Sequence, residues 1–352
     1  MESERRPTAT GRQPQAKNPQ VRIIDELNSN PIQTNDYNTM SEFDPIAVQA
    51  FQKVYAKNFE HQAQQKMKRL AQMARQKLGC IGASETHNSL EEEDMTETTG
   101  QRMALTQLSE VKGEIRHVFP RKFLSAKGQD QFDKVLMGST VLPGSDIMVA
   151  QTSAYNRKCD DVFVDGITGV NSVGVNGATQ ETLHADLIIP VDYVRTGSDT
   201  ASNLTTGKIR YIKRQFEKNE FYGQDQKAAG AKLCAAINAD MKDAILDDPL
   251  VSDADKSRIN KLDDGDLVYW MGTWFIRTER LPVDASNANV VNAVFWVSNM
   301  VQFNEWAHSV KRISERSDRS YAIQYYIEKM NGACRLEQKA VATAACQTDL
   351  FA

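Results

Sequence analysis

The stretch VKRISERSDRSYAIQYYIEKMNG, residues 310–332, joins two unlike patterns. In its second half Tyr321, Ile323, Tyr325 and Ile327 alternate with Ala322, Gln324, Tyr326 and Glu328. That period of two predicts a strand with two distinct faces. In its first half Lys311, Arg312, Glu315, Arg316, Asp318 and Arg319 alternate in sign. Mixed charges at this density suit contacts that fix register between chains better than a phosphate track. An ordinary salt-bridged surface, worth little to stability, is the competing reading. Asn331-Gly332 marks a turn or bulge, and ACRLEQKAVATAAC, residues 333–346, resumes the extended pattern.

A second charged stretch lies upstream, in GTWFIRTERLPVDASN, residues 272–287. It opens as a strand with Trp274, Phe275 and Ile276. Extended to Arg280, that strand puts Arg277 and Glu279 on one face and Thr278 and Arg280 on the other. A strand charged on both faces implies an active site, a nucleic acid or another chain against it.

A third stretch, LPGSDIMVAQTSAYNRKCDDVFVDGITG, residues 142–169, reads as a helix about 30 Å long. Pro143-Gly144 and a cap at Ser145 start it. Ile147, Ala150, Ala154, Cys159, Val162, Phe163 and Ile167 keep helical spacing, and Gly166 and Gly169 close it. Earlier, Phe51, Tyr55, Phe59, Ala63, Met67, Leu70, Ala74 and Leu78 recur mostly at steps of four. They predict another long helix, capped at Asp44-Pro45, ended by Gly79, and basic in its second half. Residues 83–100 hold six acidic and no basic side chains and predict a solvated excursion; residues 107–119 return from it as an extended arm. The centre mixes an extended run (187–194), a helix (204–221), a strand (231–238) and a short helix (239–246), an α+β lobe. Residues 1–40 read as a flexible arm with one apolar cluster, VRIIDEL.

The 352 residues, 41% hydrophobic, suffice for two or three lobes, and the net charge of −4 argues against a dedicated duplex-DNA binder. No apolar run approaches the roughly 18 residues that span a bilayer, and the N-terminus has no apolar core of a secretory signal. The five cysteines are scattered without a CxxC and predict free thiols. Chemistry finds little purchase. The histidines lack HExxH or HxH spacing, no GxSxG occurs, and Cys159 has no histidine beside it. Gly169 and Gly174 have the spacing of a phosphate loop, but Val175-Asn176 stands where Lys and Ser/Thr are needed, so GITGVNSVGVNGAT predicts a loop. LDDGDL, residues 262–267, is too short for a calcium loop and reads as a turn. The basic residues 66–77 read as a charged helix face, since their aromatic neighbours lie in the apolar stripe. No catalytic, cofactor-binding or metal-ligating residue is nominated.

FIRTERLPV, followed some 30 residues later by ERSDRSYAIQYYIEKMNGACRLEQKAV, resembles the C-terminal half of tailed-bacteriophage major capsid proteins. The helix PGSDIMVAQTSAYNRKCDDVFVDGITG is similar to the region of their long spine helix, and FQKVYAKNFEHQAQQK to their N-terminal segment, in the expected order. The resemblance implies an α+β chain of the Hong Kong 97-type fold. By order, residues 1–80 are the N-terminal arm and helix, 81–125 the extended β-arm (E-loop), 126–179 the peripheral domain with the spine helix, 180–300 the axial domain, and 301–352 the return to the peripheral domain. The implied function is a major capsid protein, made in the host cytoplasm and resident in the virion, that self-assembles through pentamers and hexamers into an icosahedral shell. Implied partners are other copies, scaffolding, portal and decoration proteins, and enclosed DNA held without sequence readout; no membrane or cofactor is implied. An encapsulin-like compartment, or an enzyme with an unrecognised site, are the alternatives. Arg277, Glu279, Arg280, Arg312, Glu315, Arg316, Asp318 and Arg319 are the expected subunit-interface residues.

Overall fold

The computed structural model describes residues 64–90, 93–95, 97, 110–130, 144–194, 200–264 and 267–349. VRIIDEL, the Asp44-Pro45 helix start and the apolar stripe from Phe51 to Ala63 lie outside them. The rest of that predicted helix is absent. Residues 64–70 run irregularly, Ala71–Met73 make one 3-10 turn, and Arg75–Cys80 is a strand, β1. The reason is tertiary. Leu70 and Ala71 are fully buried, and the N–H groups of Arg69 and Leu70 donate to the Asp160 carboxylate at 3.0–3.1 Å. The indole of Trp296 donates to the Met73 carbonyl at 2.8 Å. Packing and distant partners here override local helix propensity.

The acidic excursion is also partly ordered. Glu85–Leu90 (β2) pairs antiparallel with Gly113–Val118 (β3), so the predicted return arm is extended and the stretch before it contains a strand. Arg121–Gln129 is β4. The third stretch is a helix, α1, Gly144–Thr168. Gly169 donates to the Asp165 carbonyl at its end, but Gly166 lies inside the helix and does not close it. A Cβ on Gly166 would sit 2.4 Å from the Ala333 carbonyl oxygen, so glycine lets α1 lie against the sheet backbone. The glycine-rich tract holds a small hairpin, Asn171–Val173 (β5) with Thr179–Glu181 (β6), and β5 also pairs with β3.

The central lobe keeps its predicted helices and its 231–238 strand, but of the extended run 187–194 only Ile188–Ile189 is a strand. Ile188–Ile189 (β7) precedes Thr206–Lys218 (α2), capped by Thr205 and burying Ile209, Ile212 and Phe216. Lys208 departs from expectation: it is fully buried, and its ammonium donates to the carbonyls of Val191, Ser202 and Ala345. Gln224–Ala228 (α3), Leu233–Ile237 (β8), Ala239–Asp247 (α4) and Asp253–Ile259 (α5) follow. Then come Val268–Trp270 (β9), Thr273–Arg277 (β10) and Val290–Val297 (β11). The chain ends in Val301–Arg316 (β12), Ala322–Arg335 (β13) and Val341–Gln347 (β14).

Among the described residues three sheets result. One has the order β1-β12-β13-β4, one β7-β14-β11-β8-β10-β9, and one β2-β3-β5-β6. Every residue of β8 is buried, because it lies between β11 and β10 in the six-stranded sheet; a strand covered on both faces shows no alternation. β13 runs unbroken through Asn331-Gly332, so neither a turn nor a break occurs there. The irregularity is on its partner, where β12 shifts register between Glu305 and Ser309. Gly332 is needed for packing: a Cβ would lie 2.6 Å from the Phe119 carbonyl oxygen. The main core joins α1 (Cys159, Phe163, Ile167), α2 and the six-stranded sheet, with Phe163 edge-on to Trp296 at 5.4 Å.

Candidate subunit interface

The expected interface residues fall into two separate clusters. The first sits where β10 ends. Regular pairing stops at Arg277, so the strand charged on both faces is shorter than its sequence suggests. The Thr278 N–H still donates to the Ile237 carbonyl at 2.8 Å and Thr278 is buried, after which the chain leaves the sheet. Arg277 lies 3.6 Å from Glu279, and its carbonyl accepts from the Arg69 guanidinium at 3.0 Å. Glu279 accepts from the Ala239 N–H at 3.2 Å, which places a carboxylate at the N-terminus of α4, where the helix dipole favours it. Arg280 forks onto Asp161 of α1, Nε to Oδ1 at 2.5 Å and Nη2 to Oδ2 at 2.8 Å.

That fork fixes charge at both ends. The Asp161 hydrogen bonds hold the Arg280 guanidinium above its ordinary pKa. Burial alone would raise the Asp161 carboxyl, but the hydrogen bonds from Arg280 and Lys158 outweigh it and hold that carboxyl below its ordinary value. Glu279 and Arg280 therefore contact α4 and α1 of their own chain.

The second cluster is the far end of the β12–β13 hairpin. Among the described residues β1 covers β12 only from Gln302 to Trp306, and from Ser309 to Arg316 β12 pairs with β13 alone. Residues 311–321 are exposed on both faces. Arg316 forks onto Asp318 at 2.7 and 2.5 Å and donates to Gln324 at 3.2 Å, which holds the Asp318 carboxyl down to about 2. Arg312, Glu315 and Arg319 form no ion pair among the described residues. Ser320 and Tyr321 close the turn at φ +49° and +56°, in the left-handed region that non-glycine residues seldom occupy.

Several charged groups with structural work escaped the sequence reading. Asp160 is fully buried, and besides the N–H groups of Arg69 and Leu70 it accepts from Gln65 at 2.5 Å. Burial outweighs these bonds and raises its carboxyl. Arg335, also fully buried, donates to the carbonyls of Ile167, Gly169 and Glu181, closing the C-terminal end of α1; burial lowers its pKa to about 10. Arg116, buried in β3, pairs with Glu114 and Glu181. The signal for Asp160 was present in the Cys159-Asp160-Asp161 run, a carboxylate inside the apolar stripe of a helix. Arg335 carried none, because its partners are carbonyls of remote segments; Arg116 has Glu114 two residues away in the same strand, but its burial depends on the remote Glu181. All five cysteines are buried and free, and burial pushes the Cys159 thiol up to about 11. Among the described residues no group of three or more His, Cys, Asp or Glu side chains could hold a metal, and no helix is long and apolar enough to cross a membrane.

The profile of the phage capsid protein family matches residues 47–348. The chain belongs to that family. Its members are structural proteins of the virion, and the mixed helix and sheet architecture described above is the phage capsid fold. The chain is similar to the capsid of cyanophage Pam1, with a TM-score of 0.61 at 9% identity over 84% of this chain and 96% of that one. It is similar to the capsid of Ralstonia phage GP4, with a TM-score of 0.60 at 8% identity over 84% and 95%. It is also similar to the SrpI encapsulin of Synechococcus elongatus, with a TM-score of 0.54 at 9% identity over 86% and 96%. At these identities the likeness is one of fold. No curated protein sequence matches the chain.

Proposed function

We propose that this capsid protein is the major head subunit: many copies assemble through five- and six-fold rings into an icosahedral shell around the genome. The observation that carries this reading is the family match over residues 47–348. Surface chemistry supports it. Ile81, Leu90, Met95 and Val111, on and around the β2–β3 arm, are 78–102% exposed, and the arm has too little mass to bury them itself. A charged hairpin with an unpaired edge, and an apolar arm, suit a chain completed by its neighbours.

Residues 1–80 act as the N-terminal arm and 81–125 as the extended β-arm, with β2 and β3 as its two sides. Residues 126–179, with α1 as the spine helix, and β12 and β13 of the 301–352 return make the peripheral domain. Residues 180–300 make the axial domain, with β14 counted beside them because it pairs with β11. Arg312, Glu315, Arg316, Asp318 and Arg319 meet neighbouring copies, whereas Arg277, Glu279 and Arg280 set the seam between α1 and the axial sheet. Scaffolding, portal and decoration proteins are further partners of such a shell.

The likeness to an encapsulin supports a second reading, a shell of the same fold around a protein cargo. Negative-stain electron microscopy of the expressed chain, alone and with a phage scaffolding protein, tests both. Closed particles are expected; a strict monomer at high concentration in every salt and scaffold condition overturns the shell. Nuclease-protected DNA within particles supports the head, and a co-purifying enzyme supports the compartment.

A further inference from the structure

The residues flanking α1 separate charge in a way the chain's net charge of −4 conceals. A groove of about 440 Å³ beneath residues 64–73 is lined by Lys66, Lys68, Arg69 and Arg277. A second, also about 440 Å³, lies between α1 and the β4–β13 pair and is lined by Arg157, Lys158, Arg280 and Lys329. Neither groove has a carboxylate among its described lining residues. They adjoin: Arg157 lines the second and donates to the Gln64 side chain at 2.7 Å and the Gln65 carbonyl at 3.3 Å, both at the first. Asn156 donates to the Lys66 carbonyl at 2.7 Å, bringing Lys66 alongside the helix. The cavity lined by Glu114, Glu181, Glu217, Glu220 and Glu337 shows the opposite bias.

The basic run 66–77 reads from sequence as one solvated helix face. Because residues 64–70 are irregular, Lys66, Lys68 and Arg69 instead crowd against α1 and Arg277. We propose that this continuous strip binds the phosphate backbone of the enclosed nucleic acid, without sequence readout. The proposal rests on the shell reading above and deepens it by naming the surface that meets the cargo.

The state of the cations favours phosphate over a protein carboxylate. Arg280 already forks onto Asp161, Lys158 also donates to Asp161 at 2.9 Å, Arg69 donates to a carbonyl, and Lys68 and Lys329 lie 3.5 and 3.3 Å from Glu305. With Glu279 beside Arg277 and the buried Asp160 held by Gln65 and the Arg69 N–H, four carboxylates flank eight cations, so a positive field remains while few directed forks stay open. Non-specific duplex binding needs that field and little geometry. Tyr155 is buried and capped by the Lys329 ammonium 4.4 Å from its ring centroid, so it offers no platform for an unpaired base.

The test uses the full chain and a labelled 30-base-pair duplex of arbitrary sequence, titrated at several salt concentrations, with particle formation followed in parallel by electron microscopy. Lys66 and Lys158 are exposed, and Asp161 keeps its fork from Arg280 when Lys158 is replaced, so K66Q/K158Q is expected to keep the fold, and K112Q, on the β2–β3 arm, serves as control. The wild type and K112Q are expected to bind with affinity that falls steeply as salt rises. K66Q/K158Q is expected to bind about tenfold or more weakly at 0.1 M salt, with the slope of log K against log salt smaller by about two. Equal affinity and slope in the double variant overturn the strip while particles still form. Failure to form particles overturns the shell reading instead. If a peptide of residues 88–99 binds the strip in a Lys66- and Lys158-dependent way and the duplex does not, the occupant is a protein carboxylate and the nucleic-acid proposal fails.

Discussion

Arg280, nominated for a subunit interface, has a partner within its own chain: both arms of its guanidinium fork rest on Asp161 of α1. Asp161→Asn removes the anion while keeping shape and one acceptor. The pair is partly exposed and screened, so the loss is about 1 kcal/mol at neutral pH. Its pH dependence has a definite sign. A carboxyl held below its ordinary value stabilises the fold fully above that value, about 4, and the contribution disappears as pH falls through the lowered one. Thermal melts of wild type and Asp161→Asn should therefore differ at pH 7 and converge as the pH falls below about 4 and through the lowered value. A constant difference across that range would detach the effect from the charge pair.

At the scale of elements, the contact of α1 with β13 depends on one missing side chain. Gly166→Ala improves helix propensity by about 1 kcal/mol in isolation. Here the new methyl would lie 2.4 Å from the Ala333 carbonyl oxygen, so helix and sheet must separate. The net result is a loss of about 1–3 kcal/mol, readable as a lower denaturation midpoint of the unassembled chain. Gly128→Ala in β4 meets nothing within 4 Å and does not force a positive φ, so it is expected to be neutral. If Gly166→Ala is as stable as Gly128→Ala, the close approach is not a constraint. A glycine at the end of a helical period looks in sequence like a stop signal; only the opposing backbone shows it to be a packing device.

At the scale of the whole molecule, the β12–β13 hairpin tip is the part of the nominated interface that its own chain leaves exposed. The double reversal Arg312→Glu, Arg319→Glu is expected to leave the monomer's stability within about 0.5 kcal/mol, because no packed group changes. It is expected to reduce the yield of closed particles, with partial recovery at higher salt as like-charge repulsion is screened. Particles formed at wild-type yield and size would return this tip to ordinary solvated surface. Such a separation between monomer stability and assembly is the behaviour of a residue that acts only between copies.

The sequence by itself determined α1, α2, β8 and the β12–β13 pairing region, because their periods of 3.6 and two, or their unbroken apolar runs, are set by neighbours a few residues away. It also determined, through its ordered resemblances, the α+β capsid fold. Tertiary structure decided the rest. The helical stripe of residues 64–80 became an irregular segment and β1, since β1 pairs with Gln302–Trp306 more than 220 residues away and shows little burial of its own. Arg280 turned inward to Asp161, and Lys208, Arg116 and Arg335 went into the interior, where carbonyls and carboxylates, several of them from distant segments, meet their hydrogen-bonding needs. Local spacing reports which face of an element is apolar. It does not report which remote group will satisfy a charge, and that is settled only when the segments are packed together.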